Sequence, residues 1–411
     1  MTETRTDFCI VGGGPAGLTL ALLLLRSGAR VTVVEKLRSL EREYRGEILQ
    51  PGGQQLLDAL GVLKGARARG CHEHDRFLLE EKGRILINGD YRRLPGPFNC
   101  LLSIPQRHIL EELLEQCSRY AGFAHLGSTR CSALISDTRQ RVRGILGRGP
   151  HGDLMVHARC VIGADGRYSK VRQLAGVGYD RFEAFDQDVL WFRLSCEGPV
   201  PSDVRIFRAG GNPVLAYASH PGHLQIGWTL PHRRYKELAA QGLEHIKARL
   251  GAAVPDQAER IDAEITSFRD LSLLDVFSGV AREWTRPGLL LIGDSAHTHG
   301  PIGAQGINLA VQDAVAAHPA LLASLHDGED GAEPLRRYVT GRRRDVQRIM
   351  RIQTMQGKAM LSAGGLASVV RPRMAALVSR TPAYRAVFDR LAFGNREIVV
   401  REELFDPSAA T

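Results

Sequence analysis

The chain has 411 residues, 44% of them hydrophobic and 24% charged, an ordinary globular composition that excludes a disordered chain and, at roughly 150 residues per domain, predicts two or three domains. Its seven cysteines, at positions 9, 71, 100, 117, 131, 160 and 196, are odd in number and form no C-x-x-C pair, which argues against a disulfide framework or structural zinc and fits reduced thiols in a cytoplasm. The net charge of +9 suits an anionic cofactor as well as nucleic acid; the one tight basic run, at 341–344, has no interleaved aromatic residue and reads as a solvated helix face, so no nucleic-acid partner is expected.

In chain order, Phe8 to Val11 is a short apolar run, followed by a glycine-rich turn and a helix from Pro15 to Arg26. The apolar stretch Leu18 to Leu25 is eight residues long against the roughly 20 of a membrane span, so it is predicted to be a buried helix of a soluble protein. Arg30 to Glu35 reads as a second strand, and this β-α-β opening implies a parallel sheet. Leu56 to Leu60 is expected to be helical, and Arg76 to Asn88 to form a hairpin turning at Lys82-Gly83. Gln106 to Tyr120 carries Ile109, Leu110, Leu113, Leu114 and Cys117 at helical spacing. Arg130 to Val161 reads as an antiparallel meander that returns to the sheet at Cys160 to Ile162. Strand character resumes from Asp188 to Trp228, another buried strand runs from Leu289 to Ile292, and helix follows from about Ile307. Residues 334 to 393 are predicted to be largely helical, interrupted at Pro372 and Pro382. Nucleotide-type elements at both ends of a strand-rich middle predict a second domain that is inserted rather than appended.

The first motif is Gly12-Gly13-Gly14-Pro15-Ala16-Gly17. Gly12 permits the tight turn, Gly14 lets backbone approach a pyrophosphate, and Gly17 lets helix and strand pack closely. The helix beyond them presents free N–H groups and a positive dipole end to phosphate. Glu35, 18 residues after Gly17 and followed by Lys36, ends the second strand where an acidic residue is expected to accept from a ribose hydroxyl. This motif by itself does not separate NAD from FAD.

Two further motifs make that choice. Gly163-Ala164-Asp165-Gly166-Arg167 closes a strand and opens a helix; Gly293-Asp294-Ser295-Ala296-His297 continues to Pro301-Ile302-Gly303-Ala304-Gln305-Gly306-Ile307-Asn308. In this order the three motifs resemble the flavin-dependent monooxygenases of the para-hydroxybenzoate hydroxylase family, from residue 12 to residue 313. The resemblance implies an α/β fold: a GR2-type, Rossmann-like FAD-binding domain (1–75, 104–180 and 284–345), an interleaved antiparallel-sheet substrate domain (76–103 and 181–283) and a C-terminal helical segment (346–411). It implies FAD, with NADPH or NADH and molecular oxygen as co-substrates, and hydroxylation of an aromatic or polyketide-like small molecule through a flavin C4a-hydroperoxide.

The same resemblance implies residue roles. Glu35 holds the adenosine ribose, Arg107 reaches the FAD phosphates, Asp294 binds the ribityl chain, and Asp165 braces the site and contributes to FAD and NAD(P)H binding. Gly303 to Asn308 runs beside the flavin ring, with the N–H groups of Ile307 and Asn308 facing it. Arg45 lies near the ring, where a cation favours reduced flavin and meets the nicotinamide. Trp191, Tyr217, Gln225 and Trp228, from the strand-rich region, are candidates to line the substrate pocket.

Cys71-His72-Glu73-His74-Asp75 looks metal-like, but lacks a second ligand cluster at known spacing, so no metal is expected. His297 belongs to the family pattern and reads as structural. The halogenase signature W-x-W-x-I-P is absent, since Leu190-Trp191-Phe192-Arg193-Leu194 does not supply it. An isoprenoid reductase of the same superfamily and a non-enzymatic prenyl-protein chaperone-like binder remain as alternatives.

Overall fold

A computed structural model describes residues 2–40, 47–182, 187–196, 198, 200–208, 212–326, 332–361 and 381–409. Arg45 and the expected interruption at Pro372 lie outside them.

The first sheet is built on Thr2–Val11. It pairs in parallel with Val31–Val34 on one side and Gly152–Gly163 on the other; Phe123–Leu126 and Leu289–Leu291 extend the sheet outward, again in parallel. Parallel strands covered on both faces read as unbroken apolar runs, and Val31–Val34 is buried at every position. Val11 lies opposite both Val34 and Gly163, and Gly163 opposite Leu291. The carboxyl ends of four strands are therefore level, at the edge where open parallel sheets receive ligands. Arg130–Ser136 and Val142–Gly149 form the expected meander, running antiparallel into Gly152–Gly163.

The helix Pro15–Arg26 begins with proline at its first turn, where the missing N–H costs nothing. Ala16 to Leu25 are all buried, because the helix is enclosed between the sheet and the helices Gln106–Cys117 and Gly306–His326.

The second sheet has seven strands, in the order Ser272–Leu274, Gln187–Ser195, His223–Pro231, Pro213–Ser219, Asp203–Arg208, Arg76–Glu81, Arg84–Asp90. The hairpin turns at Lys82-Gly83 with φ of 51° and 72°, the left-handed pair that a two-residue turn requires. Every pairing is antiparallel except Asp203–Arg208 with Arg76–Glu81. Parallel neighbours cannot be joined by a hairpin, and here the whole excursion through the first sheet supplies the crossover.

Alternation along these strands separates two cores. Leu190, Phe192, Leu194, Ile226 and Trp228 pack against the helices Leu243–Ala253 and Ala258–Glu264. On the opposite face, Val189, Trp191 and Tyr217 meet Ile48, Tyr91, Ile302, Ala304, Phe388 and Phe393. Trp228 therefore does not line a pocket facing the first domain; it sits on the outer face, with Arg249 over its ring. Gln225 and Trp228 are an odd number of residues apart on one strand, so no single face holds both.

The C-terminal part contributes the helices Ala332–Leu361 and Pro382–Phe393. Within the first, Leu335, Tyr338, Arg342, Val346, Ile349 and Gln353 recur at steps of three and four and are all buried. The basic run at 341–344 is thus not a solvated face throughout: Arg342 falls on the buried stripe and is drawn in by Asp313, its Nε 2.6 Å from Oδ1. Among the described residues no helix is long and apolar enough to cross a membrane.

Candidate functional site

The three glycine motifs meet at the level strand ends. Gly12 has φ of 115°, and a Cβ there would lie 2.3 Å from the Ala164 carbonyl oxygen; a Cβ on Gly17 would lie 1.9 Å from that of Gly12. Gly14 is different, because a Cβ there meets nothing within 4 Å. Two of the glycines are demanded by packing, and the third opens onto free space in front of the helix start at Pro15. Glu35 is buried, its carboxylate accepting from the N–H groups of Gly13 (2.7 Å) and Leu37 (2.9 Å), with Lys36 exposed beside it.

Hydrogen bonds join the other two motifs. Asp165 accepts from Ser169 Oγ and from the Lys170 and Val171 N–H groups, capping the helix Lys170–Leu174. Ser295 Oγ donates to Asp165 at 3.1 Å and accepts from the Gly166 N–H at 3.1 Å. A Cβ on Gly293 would lie 3.2 Å from that of Ala16, so the first and third motifs are also in contact. Asp294 is one-third exposed beside Arg167, 3.9 Å from its Nε.

Beneath this loop lies an ion network whose acidic and basic partners, Asp313 and Arg342, sequence reasoning missed. Asp313 accepts from the Gly293 N–H (2.7 Å), pairs with His297 Nε2 (2.7 Å) and binds Arg342. Burial opposes its ionisation, but His297 and Arg342 outweigh burial and hold the carboxyl below the usual range. His297 Nδ1 lies 2.7 Å from His299 Nε2. Burial, reinforced by His297, pushes His299 down to about 3, so it is neutral at neutral pH. This network pins the Gly293-Asp294 turn to the two long helices.

Further along, Pro301 and Gln305 are helical while Gly303 and Ala304 are left-handed, with φ of 73° and 49°. Such alternation bends successive N–H groups toward one concave, anion-accepting face. The helix Gly306–His326 starts directly after it, so the N–H groups of Gly306, Ile307 and Asn308 have no carbonyl one turn back within the helix. Gly306 is exposed, and a Cβ there meets nothing within 4 Å. The Asn308 side chain is turned inward, accepting from the Gln50 N–H at 3.0 Å.

Between this loop and the second sheet lie Trp191 and Tyr217, edge to face with ring centroids 6.4 Å apart. The Trp191 ring covers Gly227, where a Cβ would come within 2.7 Å of it. Gln225 is fully buried; its Oε1 accepts from Arg193 Nε at 2.9 Å. Arg193 in turn reaches Glu47 at 2.7 Å, and Ser219 Oγ donates to the same carboxylate at 2.8 Å. Burial raises the Glu47 pKa, with Arg193, Ser219 and Arg107 opposing. Arg193 lies on the second strand of the sheet, beyond the stretch paired with Ser272–Leu274, and is 41% exposed, so this cluster is open to solvent at that point. Arg107, exposed at the start of its helix, lies near enough to Glu47 to oppose the rise of its pKa. Glu47, Arg193 and Ser219 were not singled out from sequence; Glu47 had a signal in its position two residues after Arg45.

The residues present fit a dinucleotide carrying a planar ring. Open space over Gly14 sits at a helix N-terminus, which suits a pyrophosphate. Open space over Gly306 adjoins a concave row of N–H donors, which suits an electron-rich ring edge. Among the described residues, the group of ligand-type side chains close enough to share a metal ion is Asp188, His232 and Asp275. Two of its members pair with each other, His232 with Asp188 at 2.7 Å, and the third, Asp275, is engaged from outside the group by Tyr168 and Arg181.

Residues 5–353 match the sequence family described as FAD binding domain. The chain is 61% identical over 402 residues to 6-methylpretetramide 4-monooxygenase of Streptomyces rimosus, a match covering 98% of this chain and 96% of that protein. Among solved structures, it resembles Pseudomonas aeruginosa PqsL in complex with 2-aminobenzoylacetate, with a TM-score of 0.77 and 25% identity over 94% of this chain and 100% of that one. It also shares its fold with p-nitrophenol 4-monooxygenase PnpA of Pseudomonas putida DLL-E4, at a TM-score of 0.79 and 20% identity over 96% and 100% of the two chains.

Proposed function

The chain belongs to the FAD binding domain family and is an FAD-dependent aromatic hydroxylase of the para-hydroxybenzoate hydroxylase-like class, and on that premise we propose that its substrate is an aromatic polyketide of the pretetramide type. The observation that carries this reading is the identity to 6-methylpretetramide 4-monooxygenase along nearly the whole chain, substrate-facing sheet included. In the overall reaction two electrons come from NAD(P)H, one atom of O2 enters the ring and the other leaves as water. Bound FAD supplies that redox chemistry; the protein supplies position, dryness and electrostatics.

In this reading Gly12, Gly14, Pro15, Ala16 and Gly17 receive the pyrophosphate on the helix dipole, while Glu35 and Lys36 hold the adenosine end. Arg107 reaches toward the phosphates. Asp294 accepts from the ribityl hydroxyls, kept in place by Gly293 through Asp313, and Asp165 braces the turn beside it. Pro301, Gly303, Gly306, Ile307 and Asn308 present backbone donors to the ring, and Arg45 meets the nicotinamide. Fixed donors of this kind stabilise developing negative charge without reorganising. Trp191 and Tyr217 give the cleft an apolar wall. Arg193, oriented by Glu47 and Gln225, offers a guanidinium to a phenolic or enolic oxygen of the substrate. The discontinuous division into FAD-binding, substrate and C-terminal segments belongs to the same proposal.

The test is to incubate the FAD-loaded protein with 6-methylpretetramide, NADPH or NADH, and labelled O2, and to weigh the product. Gain of one labelled oxygen atom supports the reading. Nicotinamide oxidation that the compound does not stimulate, with no oxygenated product, overturns the substrate assignment; a product that gains hydrogen instead points to a reductase.

A further inference from the structure

The carbonyls of residues 300–304 are all engaged on the protein side. Gln353 Nε2 donates to those of Gly300 (3.2 Å) and Ile302 (2.7 Å), and the Ala304 N–H to that of Pro301 (3.0 Å). Gln50 Nε2 and Gln305 Nε2 each donate to the Gly303 carbonyl at 2.9 Å, and Asn308 Nδ2 donates to that of Ala304 at 2.7 Å. All four amide side chains are buried. In a planar trans peptide the C=O and N–H point in opposite directions. Drawing the Ile302 and Ala304 carbonyls inward therefore turns the Gly303 and Gln305 N–H groups outward. Ala304 is a non-glycine residue in the left-handed region, a conformation that persists only where its surroundings over-determine it. The buried amides are those surroundings.

Gln50 differs from the other three. Its Oε1 accepts from the Tyr91 hydroxyl at 3.0 Å. Tyr91 follows the hairpin of the second sheet, packs edge-on against Phe388 with centroids 4.8 Å apart, and belongs to the same apolar core as Trp191 and Tyr217. A side-chain amide has one end that accepts and one that donates. The Tyr91 hydroxyl and the Gly303 carbonyl therefore select the same orientation of Gln50, and each depends on the other to keep it.

We propose that Gln50 is a positioning residue that links the substrate-facing core, through the Tyr91 hydroxyl, to the backbone of the flavin-facing loop, so that what occupies the cleft adjusts how firmly the loop N–H groups are held on the flavin. This rests on the reading of residues 301–308 as the flavin-facing loop. Movement of Tyr91 loosens Gln50, Gln50 loosens Gly303, and the left-handed Ala304 relaxes. The donors then lose their aim at the ring, and the reduced form, which carries more negative charge, is disfavoured.

A double-mutant cycle tests the chain of contacts. The readout is the ratio of two-electron-reduced to oxidised FAD at equilibrium with a reference dye, measured on FAD-loaded protein without substrate. Gln50→Leu should lower the ratio about tenfold and Tyr91→Phe about threefold, the scale of single neutral hydrogen bonds. Tyr91→Phe should add nothing once Gln50 is replaced. Gln50→Met, unbranched and of similar length, gives the same comparison if the leucine variant does not fold. Ratios unchanged in variants that retain FAD, or effects that simply add, would overturn the proposal. Wild-type protein that takes up no FAD would instead remove the reading of the loop, a result seen before any variant is made.

Discussion

On the proposed reading, the nucleotide end and the cleft end of this protein are built from different atoms. At the nucleotide end the chain presents backbone: glycines at 12, 14 and 17, a helix start at Pro15, and turns at Gly163 and Gly293, all delivered to one edge by parallel strands in register. At the cleft end it presents side chains from distant segments: Glu47, Arg193, Ser219 and Gln225 in one cluster, and Gln50 with Tyr91 in another, which holds the Gly303 carbonyl. Backbone recognition tolerates almost any neighbour but forbids a Cβ at particular points. Side-chain recognition tolerates backbone variation but depends on the identity of each partner.

The largest effects should come from the glycines, and they should divide into two kinds. Gly17→Val puts carbon where the Gly12 carbonyl already lies and should abolish soluble folded protein, seen as loss of a cooperative thermal transition. Gly14→Val enters open space, so the FAD-free protein should keep its melting temperature while FAD affinity falls at least about a hundredfold, beyond the loss of one charge-assisted hydrogen bond. A Gly14 variant that melts far below wild type would erase the distinction between packing and ligand space.

Asp294→Ala should weaken FAD more gently, by about tenfold to a hundredfold, as expected for a charge-assisted hydrogen bond of about 1.5–3 kcal/mol. Unchanged affinity in a fluorescence titration would remove Asp294 from the ribityl contact.

The two faces of the second sheet offer a sharper comparison. Trp191→Leu should raise KM several-fold with little change in FAD content, because Trp191 is buried in the core on the face toward Ile302 and Ala304, where the proposed reading puts the substrate. Trp228→Leu should leave KM alone and lower Tm by a few degrees, through lost packing on the outer helices. A KM effect from Trp228 would show that the faces communicate.

A further comparison concerns pH. His299 is held down to about 3 by burial and by His297, against roughly 6.5 when unfolded. Between those values the unfolded chain binds the extra proton and the folded chain does not, so stability should fall as pH drops from about 6.5 toward 3. His299→Gln should flatten that part of a plot of denaturant midpoint against pH. An identical slope would assign the acid sensitivity to other groups.

Fold and cofactor were legible because their signals are local. A glycine that must lack a Cβ, a strand buried on both faces and a helix opening with proline each write their requirement into a few consecutive residues, so the motifs announced the FAD-binding domain and its family. The period-two and period-three-to-four patterns were also present. Read strictly, they would have placed Trp228 on the outer face and Arg342 on a buried stripe, although the charge of Arg342 pointed the other way.

What only the tertiary structure decided is which distant side chains share a site. Glu47 and Arg193 lie 146 positions apart, Gln50 and Gly303 lie 253 apart, and nothing in either local stretch marks the other. Their proximity follows from a parallel pairing whose crossover is an entire sheet, and from a buried network, Asp313 with Arg342 and His297, that fixes the angle of the loop between them. Local sequence determines the conformation of each segment; long-range strand register and buried charge pairing determine which segments meet.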